Sequence, residues 1–205
     1  MTATPNNTNP RRPRFQFSLR TLLVVITAIA IGPGGWALYT QQQARRQKLA
    51  VALLSKSGGE VYARRQWLWS LLERGAPGRV VGFALRDLKA TDADAAPLAD
   101  LTDLIWLNLN DTQITDMALA HLAGLTQLKE LRLDETRVTD AGLAQLAKLA
   151  NLEMLNLSRT RVTDAGLTHL AGLSKLETLY LDKTQVTAAG VLELQKKLPH
   201  VLITR

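Results

Sequence analysis

The sequence predicts an α/β solenoid, with parallel strands on its concave face and short helices on its convex face, preceded by a single N-terminal membrane helix. Three observations predict this arrangement. From residue 101 onward, four consecutive segments share one pattern of leucine, threonine and aspartate at a period of 24 residues. In each segment, alternating leucines precede leucines at helical spacing, which is typical of a strand followed by a helix. Near the N-terminus, residues 21–44 carry no charge.

Residues 1–20 are expected to form a disordered basic leader. They combine proline, asparagine and threonine with Arg11, Arg12, Arg14 and Arg20. Such a composition has too little apolar surface to offset the entropy of ordering the chain.

Residues 21–40 are predicted to be a transmembrane helix or a signal. At roughly 1.5 Å per residue, the uncharged stretch would span about 36 Å as a helix, enough for one bilayer crossing. The dense apolar run covers only 22–31, and Gly32, Pro33, Gly34 and Gly35 interrupt it. A run this short also suits a cleaved signal or a soluble core helix. Trp36, Tyr39 and the basic flanks favour the retained anchor.

The orientation of this span follows from the flanking charges. Four arginines and the terminal amine precede it, whereas three basic residues, Arg45, Arg46 and Lys48, follow it closely. Positive charge is retained on the cytoplasmic side of membranes. We therefore expect a single-pass protein with a cytoplasmic N-terminus and the repeats outside. Secretion after signal cleavage is the alternative.

The net charge of +7 does not indicate nucleic-acid binding, because residues 1–50 hold seven of the 25 basic residues and no acidic one. The remaining 18 basic residues are balanced by all 18 acidic residues, so the repeats lack a basic footprint. No cysteine is present, and the three histidines are dispersed, so neither disulfides nor a metal site is expected.

Residues 41–78 are predicted to form a helical stalk and an N-terminal cap. The stalk places Leu49, Val51, Leu53 and Leu54 at helical spacing and ends at Gly58 and Gly59. A second apolar stripe follows, made of Trp67, Leu68, Leu71 and Leu72. A helix of this kind is expected to cover the first repeat. A partner-binding aromatic patch is the alternative, and it would require Trp67 or Trp69 to be exposed.

Residues 79–205 are predicted to contain about five repeats and a C-terminal half-repeat. The shared frame is L-x-x-L-x-x-L-x-L-x-x-T-x-[IV]-T-D-x-x-L-x-x-L. An eroded copy begins at residue 79, and the alternation of Val201 and Ile203 predicts a final strand. This frame resembles bacterial leucine-rich repeats, whose unit length falls in the same range.

Two polar columns accompany the leucines. Thr112, Thr136, Thr160 and Thr184 stand where many members of that family carry asparagine. The resemblance implies that they bind the backbone of a turn, and we expect them to stack as a polar ladder. The Thr-Asp pairs at Thr115, Thr139 and Thr163 predict helix N-caps, and Ala188 interrupts the aspartate column.

The outward strand positions form three columns on the sheet. They are Gly82, Trp106, Glu130, Met154 and Thr178; Ala84, Asn108, Arg132, Asn156 and Tyr180; and Arg86, Asn110, Asp134, Ser158 and Asp182. The residue types at these positions vary between repeats, unlike the leucines, and several are enriched at binding hot spots. The candidate partner-binding residues are Trp106, Asn108, Glu130, Arg132, Asp134, Met154, Asn156, Tyr180 and Asp182.

These observations predict a non-catalytic module that mediates protein–protein interaction through its concave face. No catalytic, cofactor-binding or metal-binding set is found, and Asp134 and Asp182 are expected to lie roughly 10 Å apart with nothing apolar to raise a pKa. A cell-envelope or glycan-binding structural protein is the alternative, with Trp106 and Tyr180 stacking on sugar rings. Ordinary solvated strands without a ligand are the third possibility.

Overall fold

A computed structural model describes residues 39, 41–56, 58–64, 79–85 and 89–205. The chain divides into two compact units, 1–42 and 43–205. The predicted leader and almost all of the predicted membrane span lie outside the described residues, as do Trp67, Trp69 and Arg86. Among the helices that are described, none is long and apolar enough to cross a bilayer.

The second unit is built on a seven-stranded sheet whose strands follow chain order. The first strand, β1 (Gly59–Arg64), is antiparallel to β2 (Arg79–Leu85). All later pairings are parallel, through β3 (Trp106–Asn108), β4 (Glu130–Arg132), β5 (Met154–Asn156), β6 (Thr178–Tyr180) and β7 (Leu202–Thr204). In each parallel pair, a residue lies opposite the residue 24 positions later in the chain. The 24-residue period of the sequence therefore equals the offset between paired residues in the sheet.

One helical segment separates each strand from the next in the repeats. The described helices are α1 (41–56), α2 (Asp92–Ala95, continued by a 3₁₀ turn over Ala96–Asp100), α3 (Asp116–Leu122), α4 (Asp140–Leu146), α5 (Asp164–Leu170) and α6 (Ala188–Lys197). This alternation of short strands and helices around a parallel sheet confirms the predicted solenoid.

A single hydrophobic core runs through the repeats. The leucine between the two outward strand positions is fully buried in every complete repeat, as at Leu107, Leu131 and Leu155. Helix leucines such as Leu143 and Leu146 meet the same core from the other side. Because each repeat supplies only one strand and one helix, its apolar surface is buried by the repeats on either side.

The N-terminal edge of the core is covered by α1 and β1. Ala50 and Leu54 of α1 are buried in the same cluster as Phe83 of β2. Gly59 makes this contact possible, because a Cβ atom there would lie 2.2 Å from Cζ of Phe83. After α1 the chain forms β1, whereas the cap helix predicted from Trp67, Leu68, Leu71 and Leu72 lies outside the described residues. The strand pairs with β2 and extends the sheet, a gain in backbone hydrogen bonds that helical spacing cannot reveal.

At the opposite edge, β7 is the strand that the alternation near the C-terminus predicts. Val201 is buried, and Ile203 packs against the core while pairing with Leu179. Leu202 points the other way and is 64% exposed.

The threonine column forms turns and not a ladder. Each hydroxyl donates to the carbonyl three residues earlier in its own repeat, as Thr136 does to Leu133 at 2.6 Å and Thr160 to Leu157 at 2.6 Å. The binding of turn backbone that the resemblance implies is confirmed, whereas the expected stacking into a ladder is wrong. A carbonyl in the same turn is a nearer acceptor than a threonine one strand away.

In each Thr-Asp pair, the threonine caps a helix and the aspartate links that helix to the next repeat. The threonine is the N-cap, as Thr139 is for α4, where its side chain accepts from the N–H of Ala141. The aspartate instead reaches into the next repeat. Asp140 accepts from both the N–H (2.8 Å) and the hydroxyl (2.6 Å) of Thr163, which is the N-cap of α5. The expectation that the aspartates act as caps is therefore corrected.

This link recurs between all successive helices from α2 to α6. The pairs are Asp92 with Thr115, Asp116 with Thr139, Asp140 with Thr163, and Asp164 with Thr187. Glycines in the following helix leave room for three of these aspartates: Gly142 for Asp116, Gly166 for Asp140 and Gly190 for Asp164. A Cβ atom at Gly166, for example, would lie 2.2 Å from Oδ1 of Asp140.

Candidate interaction surface

The outward sheet positions form continuous columns across the strands. The first runs through Gly82, Trp106, Glu130, Met154, Thr178 and Leu202, and the second through Ala84, Asn108, Arg132, Asn156, Tyr180 and Thr204. Backbone bonds continue the register past the strands, because the N–H of Asp111 donates to the carbonyl of Asp134 at 3.0 Å. The nine candidate residues thus share one surface, which we call the sheet face. Arg132 and Asp182 are exposed on it and the other seven are half-buried.

The indole ring of Trp106 packs partly against other residues of the chain. Its ring lies 4.7 Å from that of Tyr62 on β1, at an interplanar angle of 57°. Gly82 lies beneath the indole, and a Cβ atom there would be 2.0 Å from Cε2 of Trp106. The tryptophan therefore contributes to packing as well as to the surface. Tyr62 joins it as an aromatic neighbour that helical spacing could not place, because its strand was not predicted.

Ion pairs fix several long side chains on this face. Arg132 Nη2 lies 2.8 Å from Glu130 Oε1, and Lys129 Nζ lies 2.6 Å from Glu153 Oε1. All four side chains are at least a third exposed, so each pair is worth only about 0–1 kcal/mol. The pairs orient charge rather than hold the fold together.

The asparagines are largely engaged in local hydrogen bonds. The side-chain oxygens of Asn108 and Asn156 accept from the N–H groups of Asn110 and Ser158, at 3.0 and 2.9 Å. The Nδ2 atom of Asn156 also donates to Oδ1 of Asp134 at 2.9 Å. These amides therefore support the turns that follow the strands.

Asp134 is less solvated than the sequence indicates. Burial raises the pKa of its carboxyl group, and the negative charge of Asp111 adds to the rise, against the opposing effects of a backbone hydrogen bond, Arg132 and Arg159. The expectation that nothing would raise a pKa here is therefore wrong for Asp134. The cause is the turn after β4, which folds the carboxylate against the sheet and next to Asn156.

A groove of about 320 Å³ crosses one side of the sheet face. It is lined by Ile105, Trp106, Lys129, Glu130, Glu153, Met154, Glu177 and Thr178. Three of the predicted residues, Trp106, Glu130 and Met154, lie in it, whereas the asparagines and Tyr180 lie outside its lining. Its other wall is the column just before the strands, whose backbone continues the sheet through bonds such as Glu153 N–H to the Lys129 carbonyl at 2.8 Å. This column, made of Ile105, Lys129, Glu153 and Glu177, lies outside the three outward columns that the alternation of leucines predicts.

The acidic and histidine side chains do not gather into a metal site anywhere in the described part of the chain. Carboxylates on the sheet face are instead paired with Arg132 or Lys129, or bonded to amides and hydroxyls. Chemically, the face offers aromatic and thioether surface next to fixed charges, which are the properties of a binding surface.

The repeats match known proteins in sequence pattern. Residues 126–186 match the family model described as leucine rich repeat. With the 24-residue register and the parallel sheet, this match defines the class of the fold as a leucine-rich-repeat solenoid. The matched segment lies within the four regular repeats.

Three bacterial proteins are among the solved structures with a similar chain trace. A leucine-rich-repeat protein of Leptospira interrogans is 22% identical over 54% of this chain and 27% of its own, with a TM-score of 0.45. Two internalins of Listeria monocytogenes, InlF and InlC2, are 23% and 26% identical, each with a TM-score of 0.39. They cover 53% and 61% of this chain and 36% and 70% of their own.

The chain thus spans about a third or less of the length of the first two of these proteins. A search of the curated proteins finds no match.

Proposed function

We propose that the chain is a non-catalytic, membrane-tethered module that binds a protein partner through its sheet face, which we expect to be concave. The observation that carries this proposal is the contrast between the two sides of each strand. The inward position is leucine in four successive strands and fully buried. The outward positions paired across the same strands change from tryptophan to glutamate, methionine and threonine.

Such a contrast is what a scaffold with a specific surface requires. A uniform core fixes the backbone, while side chains at regular spacing present a pattern that differs from repeat to repeat. Arg132, Met154 and Tyr180 contribute residue types that are enriched in protein interfaces.

Photo-crosslinking from the sheet face tests the proposed partner binding. A photoreactive amino acid at position 132 or 180 is expected to capture a discrete partner in native membranes. The same residue at 121 or 169, both exposed helix positions, is the matched control. Arg132→Glu with Tyr180→Ala should abolish capture by a probe at position 156, and His121→Ala with His169→Ala should not. Equal capture from both faces would refute binding through the sheet.

The tether is the second part of the proposal. We propose that residues 21–40 anchor the chain in a membrane, with the N-terminus cytoplasmic and the repeats outside. Support comes from the uncharged stretch and from the excess of basic residues before it. A reporter fused after Arg205 that is active only in the cytoplasm would contradict this orientation. The mass of the mature chain separates the anchor from a cleaved signal.

Glycan binding has less support from the arrangement of side chains. Asn108 and Asn156 already bind backbone N–H groups with their oxygens, and Trp106 packs against Tyr62. Few amide groups therefore remain for sugar hydroxyls. Retention of the purified chain on cell-wall material, lost on Tyr180→Ala, would reverse this preference.

A further inference from the structure

We infer that the groove of the sheet face binds a proline-containing segment in the polyproline II conformation that carries a basic residue. This inference rests on the proposed function and adds the chemistry of the partner to it. Three features of the groove lead to it: the spacing of its apolar side chains, its aromatic end and its uncompensated negative charge.

Apolar side chains occupy every second strand along the first outward column. Trp106, Met154 and Leu202 alternate with the polar Glu130 and Thr178. Of the three apolar residues, Trp106 and Met154 line the groove, and Leu202 continues the column beyond it. Neighbouring strands lie about 4.8 Å apart, so the apolar contacts repeat about every 9.6 Å. An occupant that crosses the strands should present apolar side chains at that interval.

The polyproline II helix has this interval. It has three residues per turn and rises about 3.1 Å per residue, so side chains on one side recur about every 9.3 Å. A β-strand presents same-side residues about every 6.7 Å, which does not match. An α-helix presents same-side residues about every 5.4 Å, which does not match either.

The aromatic end of the groove favours proline among apolar residues. Tyr62 and Trp106 are tilted by 57° with ring centroids 4.7 Å apart, so the two rings are in contact and form one aromatic surface at the Trp106 end of the groove. Grooves lined by aromatic rings bind proline-rich segments because the ligand is already ordered and loses little entropy. Tyr62 is also 43% exposed, so a ligand can reach the pair.

The charge of the groove favours a basic residue on the ligand. Its lining contains Glu130, Glu153 and Glu177 but only one cation, Lys129. Arg132 pairs with Glu130 and Lys129 pairs with Glu153. Glu177 is exposed and has no ion pair in the described part of the chain. An arginine or lysine beyond the prolines would provide its counter-charge.

Synthetic peptides test this inference on the full chain in detergent. The probe is a fluorescent ten-residue peptide with proline at every third position and two arginines at one end. One matched peptide has the prolines at every second position, and another replaces the arginines with glutamates. By fluorescence anisotropy, we expect the probe to bind at least tenfold more tightly than either.

Variants of the groove identify where the peptide binds. Glu177→Lys and Tyr62→Ala should each weaken binding of the probe peptide about tenfold. Glu177→Lys should also strengthen binding of the peptide that carries glutamates. Glu193→Lys, at an exposed position of α6, is the control and should change neither. The inference is overturned if the arginine and glutamate peptides bind alike, or if Glu177→Lys and Glu193→Lys act alike.

Failure of the inference can be told from failure of the proposed function. If crosslinkers at 132 and 180 capture a partner but the probe does not bind the groove, the interaction module stands and the ligand chemistry is wrong. If neither crosslinker captures a partner, the proposed function fails and the inference fails with it.

Discussion

At the scale of single residues, each repeat makes the same unfavourable backbone turn. Asp111, Glu135, Arg159 and Lys183 all adopt positive φ angles between 56° and 58°. Residues with a Cβ atom rarely adopt this conformation, which costs roughly 1–2 kcal/mol. The turn persists because its backbone is hydrogen-bonded to the corresponding turn of the next repeat, as when the N–H of Arg159 donates to the carbonyl of Asp182. The long side chains at these positions belong to the surface.

Substitution of Lys183 tests this turn. Its φ of 58° suits glycine, so Lys183→Gly should raise the free energy of unfolding by about 0.5 kcal/mol after the entropic cost of glycine. Lys183→Val should lower it by about 1 kcal/mol or more, because a β-branched side chain tolerates this conformation poorly. Urea denaturation measures both changes. A more stable valine variant would contradict the assignment of strain.

The contributions of Asp164 and Asp134 to the stability of the fold should change in opposite directions with pH. Hydrogen bonds from the side chain and backbone of Thr187 lower the pKa of Asp164, so its stabilising effect is present above about pH 4 and is lost as the pH falls through the lowered pKa. Burial raises the pKa of Asp134, so its favourable contribution is present below about pH 4 and is lost as the pH rises through the raised value.

Asparagine variants separate the two effects. Relative to the parent chain, Asp164→Asn should become increasingly destabilising as the pH rises from 3 to 7, and Asp134→Asn should become less destabilising or stabilising. Thermal denaturation of both variants across this range provides the measurement. Parallel profiles would show that the two sites do not differ as described.

At the scale of elements, adjacent helices are joined by a carboxylate that bridges to the next N-cap. Each aspartate of the Thr-Asp pairs binds both the N–H and the hydroxyl of the following threonine. The helices α3, α4 and α5 have seven residues each and are too short to be stable alone. Their start is therefore fixed by the preceding repeat as much as by their own sequence.

Removing one bridge should weaken the stack at a known place. Asp140→Ala removes two hydrogen bonds to Thr163 and should lower the free energy of unfolding by about 2 kcal/mol. Thr163→Ala should cost about as much, since it removes the hydroxyl and the cap. The double variant, with Asp140→Ala and Thr163→Ala together, should lower the free energy of unfolding by less than the sum of the two single changes. Thr163→Ser keeps the hydroxyl and should therefore retain most of the stability that Thr163→Ala loses. Additive costs in a double-mutant cycle would contradict direct coupling.

At the scale of the whole molecule, stability is a chain of contacts between neighbouring repeats. Each repeat packs only against the units beside it, so the first repeat depends on α1 and β1 for cover. This cover is made by Ala50 and Leu54, whereas Leu53 on the same helix is 43% exposed. The two adjacent leucines therefore form a natural comparison.

Truncation of these leucines tests whether α1 covers the core. Leu54→Ala should cost about 2–5 kcal/mol, because Leu54 is fully buried, and Leu53→Ala should cost well under 1 kcal/mol. Hydrogen exchange should show the loss of protection first in β2 and least in β6. Equal effects from both leucines would mean that α1 is not docked as described.

The repeat architecture could be predicted from the sequence because the contacts that define each repeat are local and recur with a fixed period. The 24-residue frame determined the positions of the strands within the repeats, the register of Trp106 with Glu130 and Met154, and the threonine N-caps. A buried leucine in each of the strands β3 to β6 disfavours a shift of the register by one residue, since that shift would expose the whole column.

Contacts between segments that do not share the repeat were decided only in the tertiary structure. Strand β1 depends on pairing with β2, and Tyr62 meets Trp106 only because of that pairing. The bridge from Asp140 to Thr163 and the partial burial of Asp134 likewise depend on how neighbouring repeats stack. A side chain's partners across a stack follow from distance and orientation in space, which a one-dimensional pattern of residue types does not contain.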